Sequence, residues 1–161
     1  MMLADTMAVF FSVVGLLLAL PCLWLTFLAL FPQSVTRTAH ICQDKLWLSF
    51  VIGLPFAILL VICVGIFSKM PEGSGGIFSI LCIAVFLLLA NLGFAGLAST
   101  IGARLPSPRD LERPWLSTLR GGVLLELSFV VPIVGWFLLL PVSLLIGVGA
   151  FVRSICRRSA A

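Results

Sequence analysis

The amino-acid sequence predicts an all-α fold, a polytopic integral membrane helical bundle, and three observations carry that reading. Hydrophobic residues make up 61% of the chain against 10% charged, with a mean hydropathy of +1.26, far above the roughly 45–50% apolar content of soluble domains. The apolar residues form runs of membrane-crossing length, since a bilayer core of about 30 Å needs about 20 of them in a helix. The polar residues collect between those runs in short segments marked by Pro, Gly and basic side chains. At 161 residues, the chain reads as a single transmembrane domain, 1–161, with room for about four or five spans and no separate soluble domain.

The first span is Met7–Phe31, ended by Phe31-Pro32 because proline cannot continue a helix cheaply and restrains the residue before it; Pro21 is expected to kink it. The start of the chain carries Asp5 instead of a basic cluster, and its apolar run exceeds a signal peptide's, so it is expected to be a retained span. Small residues Ala8, Ser12, Gly15, Ala19, Cys22, Thr26 and Ala29 recur at spacings of 4, 3, 4, 3, 4 and 3, which aligns them in one stripe where another helix can approach closely.

Gln33–Lys45 is read as a polar connection, Leu46–Phe67 as the second span, and Lys69–Gly76 as a Pro- and Gly-rich hairpin turn. The third span, Ile77–Gly102, puts Ala84, Asn91, Ala95, Ala98 and Gly102 on one face. This second stripe of small residues is expected to meet the first. Ala103–Arg113 is the most polar loop, stiffened by Pro106 and Pro108 and bounded by Pro114.

Trp115–Val152 runs for 38 residues, about 57 Å as one helix and too long for an upright span. A break at Val131-Pro132 with Gly135 divides it into 115–131 and 133–152, a Pro-Gly hairpin. Counting short-loop Lys and Arg, which accumulate on the cytoplasmic side, favours five helical segments over the alternative of four. Five segments place Arg37, Lys45, Arg104, Arg109, Arg113, Arg120, Arg153, Arg157 and Arg158 inside and only Lys69 outside, with the N-terminus out and the C-terminus in.

Trp47-Leu48-Ser49 and Trp115-Leu116-Ser117 each follow an acid and a base at an offset of 68 residues. Interfacial tryptophans account for this without a duplication, and both segments are expected on one side.

Candidate chemistry is sparse. Glu126 is the one acid inside the apolar segments, where an ionised side chain costs several kcal/mol unless paired or hydrated. It reads either as a proton or cation site or as a structural acid hydrogen-bonded to a neighbouring helix, Arg120 or a Ser. Asn91, the sole asparagine, reads as interhelical glue or, less simply, as a substrate contact. His40, Cys42 and Asp44 offer three metal ligands, but the chain has one His and no metal site is expected. The cysteines, Cys22, Cys42, Cys63, Cys82 and Cys156, form no Cys-x-x-Cys pair and read as small apolar residues. The net charge of +4 is scattered beside apolar spans, which excludes a nucleic-acid footprint. No phosphate loop or nucleophile–base set is present, so neither an enzyme nor a cofactor is expected.

Over Leu124–Ala150, the run Val131-Pro132-Ile133-Val134-Gly135-Trp136 followed by Gly147-Val148-Gly149-Ala150 resembles the Pro-x-x-Gly-Trp and Gly-x-Gly-Ala hairpin segments in membrane parts of bacterial bactofilin-associated proteins. The resemblance implies a bacterial membrane module and a hairpin; with no β-helical domain in this chain, it does not carry over polymerisation. The expected role is a non-enzymatic accessory, anchoring or assembly subunit of the plasma membrane, in a bacterium the inner membrane. Its partners would be the lipid bilayer and other transmembrane helices, in a homo-oligomer or larger complex. The alternative is a small oligomeric transporter or channel using Glu126.

Overall fold

The computed structural model describes residues 2–69, 74–110 and 113–158, which contain helices, turns and no strand. In chain order the helices are α1 (Met2–Leu30), α2 (Pro32–Asp44), α3 (Leu46–Phe67), α4 (Ser74–Ala103), α5 (Trp115–Val130), the single turn α6 (Pro132–Val134) and α7 (Leu140–Arg158). A 3₁₀ turn at Pro108–Asp110 precedes α5, and a π-helical turn at Gly135–Leu139 joins α6 to α7. Among the described residues, four stretches are long and apolar enough to cross a membrane: Thr6–Leu30, Leu46–Phe67, Gly75–Ala103 and Gly135–Cys156. The fourth expected segment, 115–131, appears as α5 with only 16 residues, about 24 Å at 1.5 Å per residue.

Several boundaries follow from local chemistry. α1 ends where Phe31 leaves helical geometry (φ −129°, ψ 56°), and Pro32 opens α2 at a position where its missing N–H costs nothing. Val131, ahead of Pro132, takes an extended conformation (φ −67°, ψ 108°), as the steric demand of the proline ring requires. The hairpin break therefore falls where the proline placed it. Met70–Gly73 of the expected Lys69–Gly76 turn, and Leu111 and Glu112 of the polar loop, lie outside the described residues.

One expectation is corrected outright: Gln33–Lys45, read as a polar connection, is helical as far as Asp44. Val35, Thr38, Ala39, Ile41 and Cys42 are buried on one side of α2 while Arg37 and His40 stay exposed, an apolar stripe at 3- and 4-residue spacing. The polar outer face conceals that stripe in a hydropathy reading. Thr38 packs on Gly96, and the Thr100 hydroxyl donates to the Ala39 carbonyl at 3.1 Å, fixing α2 against the lower part of α4.

The bundle is held at three close seams. On α3 and α7, Gly53 faces the Leu145 carbonyl and Gly149 faces that of Ser49, so closely that a Cβ at either glycine would overlap backbone atoms. Arg153 extends this seam, donating to the Ser49 hydroxyl at 3.1 Å and the Lys45 carbonyl at 3.4 Å. The order of these contacts makes the two helices antiparallel. Gly93 of α4 meets Gly147 of α7, and Gly121 of α5 meets Ala98. Such side-chain-free contacts let helices approach to van der Waals distance, the source of cohesion where the hydrophobic effect between helices is absent.

The second small-residue stripe thus divides its contacts. Ala95, Ala98 and Gly102 are buried, Asn91 is half-buried and Ala84 is exposed. The first stripe does not meet it: Ala8, Ser12, Gly15, Ala19, Cys22, Thr26 and Ala29 all face outward. α1 instead touches α4 and α5 through Pro21 and the fully buried Trp24. A bulky aromatic, not a run of small residues, supplies that contact.

These contacts sort the charges by end. α3 rises from Lys45, α4 descends to Arg104, and α5 starts above Arg113 and ends in a turn from which α7 returns to Arg153. Arg37, Lys45, Arg104, Arg113, Arg120 and Arg153 consequently share the end occupied by α2, and Lys69 lies at the other.

Candidate functional site

Asn91 meets Trp24 at the junction of α1, α4 and α5, and Glu126 stands one helical turn along α5 from Gly122, the glycine that faces the same indole. Gly122 of α5 leaves room for the Trp24 ring: a Cβ there would stand 3.0 Å from its Cε3 atom and 3.7 Å from Pro21 Cβ. Trp24 packs against Phe94 with ring centroids 5.7 Å apart, and Phe94 meets Phe129 edge-on at 6.1 Å. The indole Nε1 donates to Asn91 Oδ1 at 3.3 Å, while Asn91 Nδ2 donates to the Leu87 carbonyl at 2.8 Å. Asn91 therefore links α1 to α4 and has both ends of its amide engaged.

Glu126 follows Gly122 by one helical turn and shares its face of α5. It is 4% exposed, and neither carboxylate oxygen has a hydrogen-bond partner among the described residues. A buried carboxyl without donors is costly as an anion, several kcal/mol even after relaxation, whereas a neutral acid avoids the charge penalty. The partners considered from sequence are engaged elsewhere: Arg120 reaches Asp110, and the Ser128 hydroxyl bonds the Leu124 carbonyl at 2.8 Å.

The Arg120–Asp110 pair sits at the basic end. Arg120 Nη2 donates to Asp110 Oδ1 at 2.6 Å, and the Ser107 N–H donates to Oδ2 at 3.0 Å. The Arg120 guanidinium holds the Asp110 carboxyl below its ordinary value, helped by the Ser107 N–H against a smaller opposing desolvation. The pair ties the start of α5 to the loop before it and lets Arg120 reach the polar end of the molecule. Sequence reasoning offered Arg120 as a partner for Glu126 and did not find Asp110.

Cys42 is buried beneath α2, and that burial pushes its thiol up to about 11 despite the opposing field of Arg153. It is an apolar packing group in the protonated form. His40 and Asp44 on the same helix are exposed, so His40, Cys42 and Asp44 do not converge. No cluster of three or more His, Cys, Asp or Glu capable of holding a metal occurs among the described residues. Two further interhelical polar contacts, Ser99 with Thr118 at 2.9 Å and Arg153 with Ser49, brace the same end.

An apolar groove between the upper halves of α3 and α4 is lined by Phe56, Leu60, Cys63, Cys82, Phe86 and Leu89 among others. It holds no charged side chain and lies away from Glu126. Compared with known proteins, the chain matches no family model, no curated protein and no solved structure.

Proposed function

We propose that this chain is a multi-pass protein of the plasma membrane, the inner membrane in a bacterium, that serves as an accessory, anchoring or assembly subunit for other membrane helices. The observation that carries the reading is the outward-facing stripe of α1 from Ala8 to Ala29. Gly15 in its middle has no atom within 4 Å of the position a Cβ would occupy, whereas the glycines at the internal seams, among them Gly53, Gly93 and Gly149, meet the backbone of a neighbouring helix. The hydroxyls on the stripe, Ser12 and Thr26, are satisfied within α1 by Ala8 and Cys22 carbonyls at 2.8 Å each. A partner helix would meet a shallow surface with no polar group to desolvate. The basic end, by the positive-inside rule, faces the cytoplasm, with the N-terminus outside and the C-terminus inside.

The test is photocrosslinking in native membranes from Ser12 and Ala19, with Ile58 on the exposed side of α3 as comparison. Discrete protein adducts from the stripe alone, and loss of the associated complex on Gly15→Leu, are the expected results. A bare monomer with no stripe-specific adduct sinks the proposal.

A second reading is favoured by the unpartnered Glu126 carboxyl: a small oligomeric transporter or channel in which that group binds a proton or cation. It requires that Glu126→Gln abolish flux in reconstituted vesicles while leaving the protein folded. Retained flux in that variant removes the reading.

A further inference from the structure

The two helical hairpins of this protein differ in what their turns can touch. Between α3 and α4 the sequence is Ser68-Lys69-Met70-Pro71-Glu72-Gly73-Ser74-Gly75-Gly76, rich in groups that want water. Between α5 and α7 the stretch Phe129–Val142 contains no charged side chain and no hydrogen-bonding side chain except the Trp136 indole. Its residues are nevertheless the most outward-facing of that hairpin: Ile133 is 76% exposed, Trp136 68% and Phe137 83%.

Depth points the same way. Arg120 and Arg153 mark the polar end through their bonds to Asp110 and to the Lys45 carbonyl. From those levels α5 rises about 15 Å to Val130 and α7 about 20 Å to Leu140, while α3 climbs about 33 Å from Leu46 to Phe67. The eight residues between Val131 and Leu140 are themselves helical and lead without a break into α7, but they fold back on the end of α5, a Cβ on Gly135 lying 2.5 Å from the Phe129 carbonyl. Because α5 carries the chain no higher than Val130 and Gly135 returns to the level of Phe129, the hairpin ends short of the level reached by α3, whose length matches a hydrocarbon core of about 30 Å. Part of its backbone is already satisfied within the turn. Pro132 has no N–H to satisfy, the Gly135 N–H reaches the Val131 carbonyl at 2.7 Å, and the Leu140 N–H closes the π turn on the Gly135 carbonyl.

We infer that residues 115–158 form a re-entrant hairpin that enters and leaves the bilayer at the basic end. Its tip, Ile133, Val134, Trp136, Phe137 and Leu138, is a docking surface for lipid acyl chains. This rests on the membrane placement proposed above, and replaces two crossing spans with an insertion that never reaches the far side. Both arrangements return the C-terminus to the basic end, so only the tip's surroundings separate them.

The experiment uses the full chain in sealed liposomes, its five cysteines replaced by alanine, with a single cysteine from Phe137→Cys or, in parallel, Lys69→Cys. Membrane-impermeant maleimide is applied outside, and then on both sides after freeze–thaw loading. Lys69→Cys should react from one side; Phe137→Cys should react at least about tenfold more slowly from either side, because hydrocarbon excludes the reagent, and fully after denaturation in SDS. Reaction of Phe137→Cys from the same side as Lys69→Cys overturns the re-entrant hairpin in favour of two full spans. Reaction only from the opposite side puts the tip in water and also overturns it. If the protein does not float with the liposomes, the membrane placement itself fails. An independent readout on otherwise native protein is quenching by lipids brominated deep in the acyl chain. It should fall in Trp136→Phe relative to the parent, and an unchanged signal refutes the placement of the tip.

Discussion

Replacing Gly149 with alanine should destabilise the protein, although the same change at Gly15 should not. In the interior of a helix, Gly→Ala by itself contributes about 0.5–1 kcal/mol of stability through lost backbone freedom in the unfolded chain. At Gly149 the added Cβ would stand 2.8 Å from the Gly53 nitrogen and closer still to the Ser49 carbonyl oxygen. Both obstacles are backbone, so no rotamer change relieves them and α3 and α7 must separate. Overpacking of this kind costs about 1–3 kcal/mol, and separation also weakens the Arg153 bonds to Ser49 and Lys45 that continue the same seam. The net expectation is a loss of about 1–2 kcal/mol for Gly149→Ala. Gly15→Ala, with nothing within 4 Å, should gain about 0.5–1 kcal/mol. Thermal or SDS-titrated unfolding of the purified protein in one detergent, followed by helical circular dichroism, measures both. Equal effects of the same sign at the two sites would refute the close α3–α7 contact as the origin of the difference.

Three further predictions follow from other contacts. Glu126→Met should raise unfolding stability by about 1–3 kcal/mol, since it removes a buried polar group that has no partner; destabilisation would mean that the carboxyl is bonded after all. Trp24→Ala should cost about 3–5 kcal/mol by emptying the α1–α4–α5 junction. Trp24→Phe, which keeps much of the ring and drops only the 3.3 Å bond to Asn91, should cost about 1 kcal/mol, and similar losses for both would refute packing as the larger contribution. Asp110 has a folded value below its ordinary 3.8, so its contribution to stability is present above about pH 4 and disappears as pH falls through the lowered folded value. Unfolding midpoints of the parent and Asp110→Asn should therefore differ at pH 6, converge at low pH, and differ less in high salt; a difference that persists at low pH would refute the ion-pair account.

The sequence by itself determined the helical class, the long apolar stretches and the points where proline must break the chain. Those are properties of single residues and near neighbours: hydropathy summed along a helix, the ring of Pro32 acting on Phe31, the ring of Pro132 acting on Val131. It also isolated Glu126 and Asn91, because a carboxyl or an amide in an apolar run is conspicuous wherever the run folds. Hydropathy alone did not reveal α2, whose buried Val35, Thr38 and Cys42 are interleaved with polar residues and find their neighbours, such as Gly96 and Thr100, only in the folded chain. Nor could periodicity tell which stripe of small residues would be used. Ala8–Ala29 and Ala84–Gly102 obey the same spacing, yet close contact depends on which backbones the rest of the bundle brings together. The tertiary structure gave α4 to α2, α5 and α7, left the α1 stripe facing outward, and paired Arg120 with Asp110 across a proline-bounded turn. Spacing fixes the face on which a side chain lies, but only packing fixes what that face meets.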